Sequence, residues 1–173
     1  HVDVANGAAV DLRDNLTIEL MLRVDGFGGP WSNVLYKGSG AGQRTYSLYV
    51  NADGYLHFTT WGGAIGAIEL STPVGSIRQG EWVHAAVVAD RAGGQLRMYL
   101  DGVEVASRAL SATPFVATSG GLRIGREINE SNSLFVGAVD DIRLWNVARS
   151  AADIAANRNT ALAGNEAGLT LDL

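Results

Sequence analysis

Side-chain type alternates strictly between residues 17 and 24, and this pattern constrains the fold more than any other feature of the sequence. Every even-numbered residue from Ile18 to Val24 is apolar, and the odd-numbered neighbours from Thr17 to Arg23 are polar except Met21. Because successive side chains of a strand point to opposite faces of a sheet, this period of two predicts a half-buried β-strand. Further strands are predicted at 1–4, 33–37, 46–50, 55–60, 67–70, 82–89, 95–100, 103–108, 122–126 and 136–144.

Short turns that contain glycine separate these strands. Asp101-Gly102 favours a two-residue type I′ hairpin, in which both residues need a positive φ, and the turns at 51–54 and 90–94 predict two more hairpins. A helix is predicted only at 150–158, where Ser150 and Asp153 form a capping box. We therefore expect an all-β fold, an antiparallel two-sheet β-sandwich (jelly roll) with one short helix near the C-terminus, as a single domain over 1–173.

Composition excludes several classes of function. The 173 residues include no cysteine, which rules out disulfides and thiolate metal sites. The net charge is −5 and the arginines are scattered, so no basic stripe is available and we expect no nucleic-acid partner. No apolar run approaches the roughly 18 residues of a membrane-spanning helix, so we expect no membrane insertion.

Two adjacent carboxylates, Asp140 and Asp141, lie within the last long predicted strand. Aspartate is disfavoured in strands, and a buried carboxylate without a partner is costly. At least one of them therefore needs a partner. An arginine such as Arg143 or Arg123, or a backbone amide, would serve, and so would a hard cation such as calcium.

An ordered set of motifs along nearly the whole chain closely resembles the laminin G-like, concanavalin A-like jelly-roll domains. These motifs are LTIEL at 16–20, NVLYKG at 33–38, YSLYV at 46–50, DGYLHF at 53–58, EWVH at 81–84, LRMYLDG at 96–102, LRIGR at 122–126 and FVGAVDDIRLWN at 135–146. The resemblance implies a non-catalytic module of a secreted or cell-surface protein, often part of a larger protein or assembly. It also implies binding of glycans or proteins, often with a calcium ion.

The same resemblance suggests where calcium would bind. The run Asp140-Asp141-Ile142-Arg143 matches a D-x-[VI]-R setting, in which the first aspartate joins main-chain carbonyls near the N-terminus, so Asp140 and the Asp3 region are the candidate metal ligands. Gln43-Arg44-Thr45 replaces the aspartate of a second, rim calcium site, which we expect to be missing. By period two, Asp140 and Asp141 should face opposite sides. The 129–132 loop is a weaker cation candidate, more typical of a solvated turn.

A carbohydrate site needs exposed aromatic faces beside planar polar groups. Trp31 and Trp61 fall in glycine-rich loops, and Tyr49, Tyr99 and Arg44 fall on or beside strands, so these five are the candidate ligand-binding residues. Asn33 and Glu127 are further candidates for hydrogen bonds to a sugar. The alternative is that such aromatic residues fill the core or close the ends of the sandwich. The other two tryptophans, at 82 and 145, are predicted to lie in the core.

Catalysis is not expected. An E-x-D-x-x-E type of carboxylate signature, a G-x-S-x-G elbow and a cysteine nucleophile are all missing from the sequence. The favoured hypothesis is a non-catalytic module that binds carbohydrate and holds a structural calcium ion. The first alternative is an adhesin or decoration domain that makes only protein–protein contacts, and the second is a lyase-like enzyme. A jelly-roll fold alone does not choose between them.

Overall fold

The computed structural model describes residues 1–40, 42–127 and 134–173. The first half of the chain forms β1 (Val2–Val4), β2 (Leu16–Phe27), β3 (Trp31–Gly40), β4 (Gln43–Asn51), β5 (Tyr55–Trp61), a 3₁₀ turn (Gly63–Ile65) and β6 (Ile68–Ser71). The second half forms β7 (Trp82–Asp90), β8 (Gln95–Leu100), β9 (Val103–Ala109), β10 (Leu122–Ile124), β11 (Phe135–Trp145), α1 (Ala151–Asn157) and β12 (Leu169–Asp172).

The strands of the described residues form two antiparallel six-stranded sheets packed face to face. The first sheet has the order β1-β10-β3-β4-β5-β6, and the second has the order β12-β11-β2-β7-β8-β9. The predicted antiparallel β-sandwich is confirmed, and 82–89 is a central strand, as expected. The edge strand β12 was not predicted.

The inner faces of the two sheets form one continuous core. The even-numbered residues of β2 from Ile18 to Val24 are at most 1% exposed, and they share this core with Leu48 and Phe58 of the first sheet. Full burial of such a side chain stabilises the fold by roughly 1.5–3 kcal/mol. The hairpin between β8 and β9 has the predicted turn, since φ is +49° at Asp101 and +82° at Gly102.

The single described α-helix covers the outer face of the second sheet. Ser150 caps α1 as predicted, because its Oγ accepts the Asp153 N–H at 3.1 Å. Ile154 is fully buried and packs on Ala86, Val88 and Tyr99 of the sheet beneath. No helix among the described residues is long and apolar enough to span a membrane.

Beside α1, an ion pair is buried on the same outer face. Glu19 on β2 is 0% exposed and pairs with Arg149, whose guanidinium also stacks 4.1 Å from the centre of the Trp145 ring. His84 Nε2 lies 3.4 Å from the other oxygen of Glu19. The expectation of a half-buried β2 was therefore wrong here, because α1 and the turn before it cover the face that carries Glu19.

The strand that carries the adjacent aspartates is not regular. The pairing between β11 and β2 shifts register between Asp140 and Arg143, and Asp141 has a φ of +50°. Such a β-bulge breaks the period of two, so the expectation that Asp140 and Asp141 face opposite sides does not follow from their spacing. Asp140 Oδ1 instead accepts the N–H of Asp141 at 2.9 Å.

Arg143 holds the segment after α1 in place. The side chain is 1% exposed, and its Nη1 and Nη2 donate to the carbonyls of Asn157 at 3.1 Å and Thr160 at 2.8 Å. Asp141 lies 3.6 Å from the same guanidinium. The predicted alternative of an arginine partner for the paired carboxylates is thus present for Asp141.

One of the two tryptophans assigned to the core lies at the surface. Trp145 is 3% exposed, as predicted, but Trp82 is 43% exposed. Trp82 is the first residue of β7, and its cross-strand partner on β2 is Arg23. The Arg23 guanidinium stacks 5.2 Å from the centre of the Trp82 ring. The correction follows from the surroundings of each ring, because Arg149 and the turn before α1 cover Trp145, whereas the partly exposed Arg23 is the cation that stacks on Trp82.

The first prediction concerns the buried ion pair. We expect Arg149→Met to lower the free energy of unfolding by about 3 kcal/mol, because it leaves the Glu19 carboxylate buried without its main partner. Urea unfolding followed by fluorescence measures this change. Arg78→Met is the matched control, since Arg78 is 74% exposed and we expect little effect. An equal loss in both variants would contradict the assigned role, and Glu19→Leu combined with Arg149→Met should recover most of the stability.

The second prediction concerns pH. Burial alone would raise the pKa of Glu19, but His84 and Arg149 outweigh it and hold the pKa below its usual 4.5. Since the folded pKa is the lower one, the stabilisation is present above the unfolded pKa and is lost as pH falls through the folded pKa. Between neutral pH and about pH 3, we expect the free energy of unfolding, measured with urea, to fall less in Glu19→Gln than in the wild type. Parallel curves for the two proteins would contradict this role of Glu19.

Candidate functional site

A depression of about 280 Å³ lies on the outer face of the first sheet, on the side of the molecule away from α1. It brings together aromatic, cationic and anionic side chains from four strands and from the segment after β10. The lining residues are Trp31, Arg44, Tyr49, His57, Thr59, Glu69 and Glu127.

Strand register explains why these residues meet. Tyr49 of β4 lies opposite His57 of β5, and Thr59 follows two residues later on the same face. Thr59 in turn lies opposite Glu69 of β6. Alternate residues of neighbouring strands therefore build one continuous polar surface, while the residues between them point into the core.

Trp31 forms the aromatic wall of the depression. Its ring centre lies 5.1 Å from that of His57, 5.7 Å from that of Tyr55 and 6.2 Å from that of Tyr49, and the two tyrosine contacts are edge-to-face. These contacts fix the orientation of the indole, yet 37% of Trp31 stays exposed. The depression thus has a rigid aromatic surface that solvent can reach.

Hydrogen bonds order a second wall, formed by Tyr49, Arg44 and Glu127. The Tyr49 hydroxyl donates to Glu127 Oε2 at 2.8 Å, and Arg44 Nη1 donates to the same hydroxyl at 3.4 Å. Burial, together with the charge of Glu127 and the hydrogen bond to it, raises the pKa of Tyr49, so the phenol stays protonated. The wall therefore offers a carboxylate acceptor beside a guanidinium donor.

His57 adds an uncharged polar group to the floor. Its Nδ1 lies 2.8 Å from Ser71 Oγ, and its Nε2 lies 4.0 Å from Glu69 Oε1. Burial lowers the pKa of His57 from its usual 6.5, Glu69 opposes this change and Arg44 adds to it. The imidazole is therefore neutral at neutral pH and can either donate or accept a hydrogen bond.

The structure gathers four of the five predicted ligand-binding residues on this face. The depression is lined by three of them, Trp31, Arg44 and Tyr49. Trp61, the last residue of β5, is the cross-strand partner of Arg44 on the neighbouring strand β4. Both tryptophans lie at strand ends rather than in loops, and Trp61 is 48% exposed. Tyr99 is a correction: it lies on β8 of the other sheet, is 3% exposed and packs beneath Ile154 of α1.

Three residues of the depression were absent from the predicted set, namely His57, Thr59 and Glu69. Their alternation with buried residues placed them on one face of each strand, but nothing local showed which strands are neighbours. The pairing of β4 with β5 and of β5 with β6 is what identifies these three residues as neighbours. This pairing is a tertiary property.

The two predicted metal ligands lie in different sheets and in different surroundings. Asp3 on β1 has Arg123 Nε and Arg126 Nη2 each at 3.5 Å from a carboxylate oxygen, so its charge is already balanced by cations. Arginines thus occupy the Asp3 carboxylate, and calcium binding by the Asp3 region stays a prediction that depends on its main-chain carbonyls. Asp140 is exposed and lines a cavity of about 410 Å³ together with His1, Val2 and Gly125.

Calcium needs six to eight oxygen ligands, and Asp140 is the acidic residue of this cavity. Among the described residues, no group of three or more histidine, aspartate or glutamate side chains is arranged to hold a metal ion. Main-chain carbonyls and water would have to complete the ligand set. The other cation candidate, the 129–132 loop, lies outside the described residues.

A protein-family model described as the concanavalin A-like lectin/glucanases superfamily matches residues 1–155. No curated protein matches the chain. Among solved structures, a candidate carbohydrate-binding protein from Bacteroides ovatus superposes with a TM-score of 0.75 at 19% identity. That similarity covers 99% of this chain and 47% of the other, so the chain spans about half the length of that protein.

Two further structures share the fold. A native heptameric SAP-like pentraxin from Limulus polyphemus has a TM-score of 0.68 at 18% identity, covering 95% of this chain and 80% of that one. The CBM40 of a Ruminococcus gnavus IT-sialidase, bound to α2,3 sialyllactose, has a TM-score of 0.68 at 13% identity, covering 90% of this chain and 94% of that one. Identities this low establish a common architecture for the three proteins and this chain.

Calcium binding at Asp140 stays a prediction, and chelation tests it. If an ion is bound there, EDTA should lower the melting temperature, because a ligand that binds the folded state stabilises it by mass action. Asp140→Asn should remove the difference between calcium and EDTA. Asp3→Asn is the control and should leave the difference unchanged, since two arginines already neutralise Asp3. An identical melting temperature with and without EDTA, together with no calcium in elemental analysis, would contradict the prediction.

Proposed function

Because this chain belongs to the concanavalin A-like lectin/glucanase superfamily, we propose that it is a non-catalytic module that binds carbohydrate in the depression on its first sheet. Calcium at Asp140 would be a separate, structural component of the same module. A secreted or cell-surface location and a place within a larger protein are parts of the same proposal. The superfamily and the solved carbohydrate-binding relatives support it.

The observation that carries the proposal is the exposed indole of Trp31 at the edge of a polar depression. A sugar ring has an apolar face of C–H groups and a rim of hydroxyls. Trp31 offers an aromatic surface to the face, while Arg44, His57 and Glu127 offer donors and acceptors to the rim. Pockets of this kind, with an apolar surface and a few placed polar groups, are typical of small-ligand sites.

The non-catalytic part of the proposal is supported by the surroundings of the two carboxylates in the depression. Glycoside hydrolysis commonly uses two carboxyl groups, one of which acts as a general acid. Glu127 here accepts a hydrogen bond from the Tyr49 hydroxyl at 2.8 Å. Glu69 lies at the outer edge of the depression, with a side chain that is 56% exposed. A catalytic acid is commonly held in a buried, apolar site, and Glu69 does not lie in one, while Glu127 is engaged by the tyrosine.

The test is a glycan array followed by calorimetric titration of the strongest hit. We expect Trp31→Ala to weaken binding at least roughly tenfold, about 1.4 kcal/mol, because the stacking surface is removed. Trp82→Ala is the matched control: Trp82 is also an exposed strand-end tryptophan, but it lies on the other sheet. We expect its affinity to equal that of the wild type.

Three results would contradict the proposal. A blank array would favour the alternative of a module that makes only protein–protein contacts. Equal losses in the two tryptophan variants would place binding outside the depression. Release of shorter sugars during incubation with the hit would contradict the non-catalytic part. Melting temperatures of both variants should accompany the titrations, so that a loss of folding is not counted as a loss of binding.

A further inference from the structure

Trp31 and Trp61 are the two tryptophans of the first sheet, and they lie on the same outer face, near opposite ends of it. In β5, residues Tyr55, His57, Thr59 and Trp61 occupy alternate positions, so they share the outer face, although Thr59 is buried among its neighbours there. Trp31 joins this face at the other end, because it pairs with Asn51 of β4, which in turn pairs with Tyr55.

The separation between the two tryptophans exceeds the size of one sugar ring. The indole of Trp31 leans toward His57, with 5.1 Å between the ring centres. From His57 to Trp61 the strand advances about 13 Å, at roughly 3.3 Å per residue. Trp61 is 48% exposed and lies outside the group of residues that line the depression, next to its paired residue Arg44.

Polar groups fill the space between the two aromatic ends. Thr59 and Arg44 lie between the Trp31 end and Trp61, and both line the depression. A ligand that stacked on both indoles would therefore pass over a hydrogen-bonding surface along β4 and β5. This sequence of aromatic, polar and aromatic groups matches a chain of sugars better than a single terminal sugar.

The charges of the depression do not favour an acidic ligand. Among the described residues that line it, Arg44 is the cation, and Glu69 and Glu127 are the anions. The lowered pKa of His57 keeps that residue uncharged. The depression therefore offers no net positive charge to an acidic sugar, and Glu69 and Glu127 would repel a carboxylate near Arg44.

We propose that this face binds an extended, uncharged glycan chain that runs along β4 and β5 from Trp31 to Trp61. The inference rests on the proposed function and gives it a ligand class. The indole of Trp31 and the polar groups beside it hold one part of the chain. Trp61 contacts the chain only when the chain is long enough to reach it.

The experiment uses a glycan array with neutral, sialylated and uronic-acid glycans, followed by titration with cello-, malto-, xylo- and manno-oligosaccharides from the monosaccharide to the hexasaccharide. We expect the array to show binding to neutral glycans. In the titrations we expect the affinity to rise about tenfold from the monosaccharide to the hexasaccharide. Trp61→Ala should remove that gain and leave the binding of short sugars unchanged. Trp31→Ala should weaken binding at every length, and Trp82→Ala should change neither.

The outcomes separate this inference from the proposed function. Binding that depends on Trp31 but is equal at all lengths would overturn the extended chain and leave the carbohydrate site standing. Hits confined to sialylated or uronic-acid glycans would overturn the uncharged ligand class. An array without any hit would overturn the proposed function and this inference together.

Discussion

The Glu19 carboxylate is fully buried on the outer face of the second sheet, and Arg149 is the cation that stabilises it there. A buried charge is tolerated only when it is paired, so the turn before α1 must dock on this sheet for the sandwich to be stable. Arg143 extends the same constraint, because its guanidinium binds the carbonyls of Asn157 and Thr160. The C-terminal part of the chain thus covers the outer face of the second sheet, while the depression lies on the outer face of the first.

On the outer face of the first sheet, the depression that forms the proposed binding site depends on cross-strand register. Tyr49 and His57 are partners across β4 and β5, and Trp31 packs against both. The depression is therefore built on the sheet itself rather than on loops, and its walls are held by aromatic contacts and by the hydrogen bond from Tyr49 to Glu127. A site of this kind is preorganised, which limits the entropy lost when a ligand binds.

Local patterns predicted the strands well because each one needs only its own alternation. The same patterns failed where a long-range contact changes the environment. Trp82 was assigned to the core because it begins an apolar strand, but its ring is exposed. Tyr99 was assigned to a ligand-binding surface, but it is buried under Ile154. At Asp141 the failure is a β-bulge, in which a positive φ removes the period of two.

What the sequence by itself determined is the set of strands, the Asp101-Gly102 hairpin, the capped helix and the two-sheet architecture, because these depend on short-range periodicity and turn chemistry. It also singled out Trp31, Trp61, Arg44 and Tyr49 as residues suited to a sugar. Only the tertiary structure decided which outer face is covered and which carries these four residues together. The physical reason is that both outcomes depend on which strands pair and on where α1 docks, and the contacts that decide this join residues far apart in the chain.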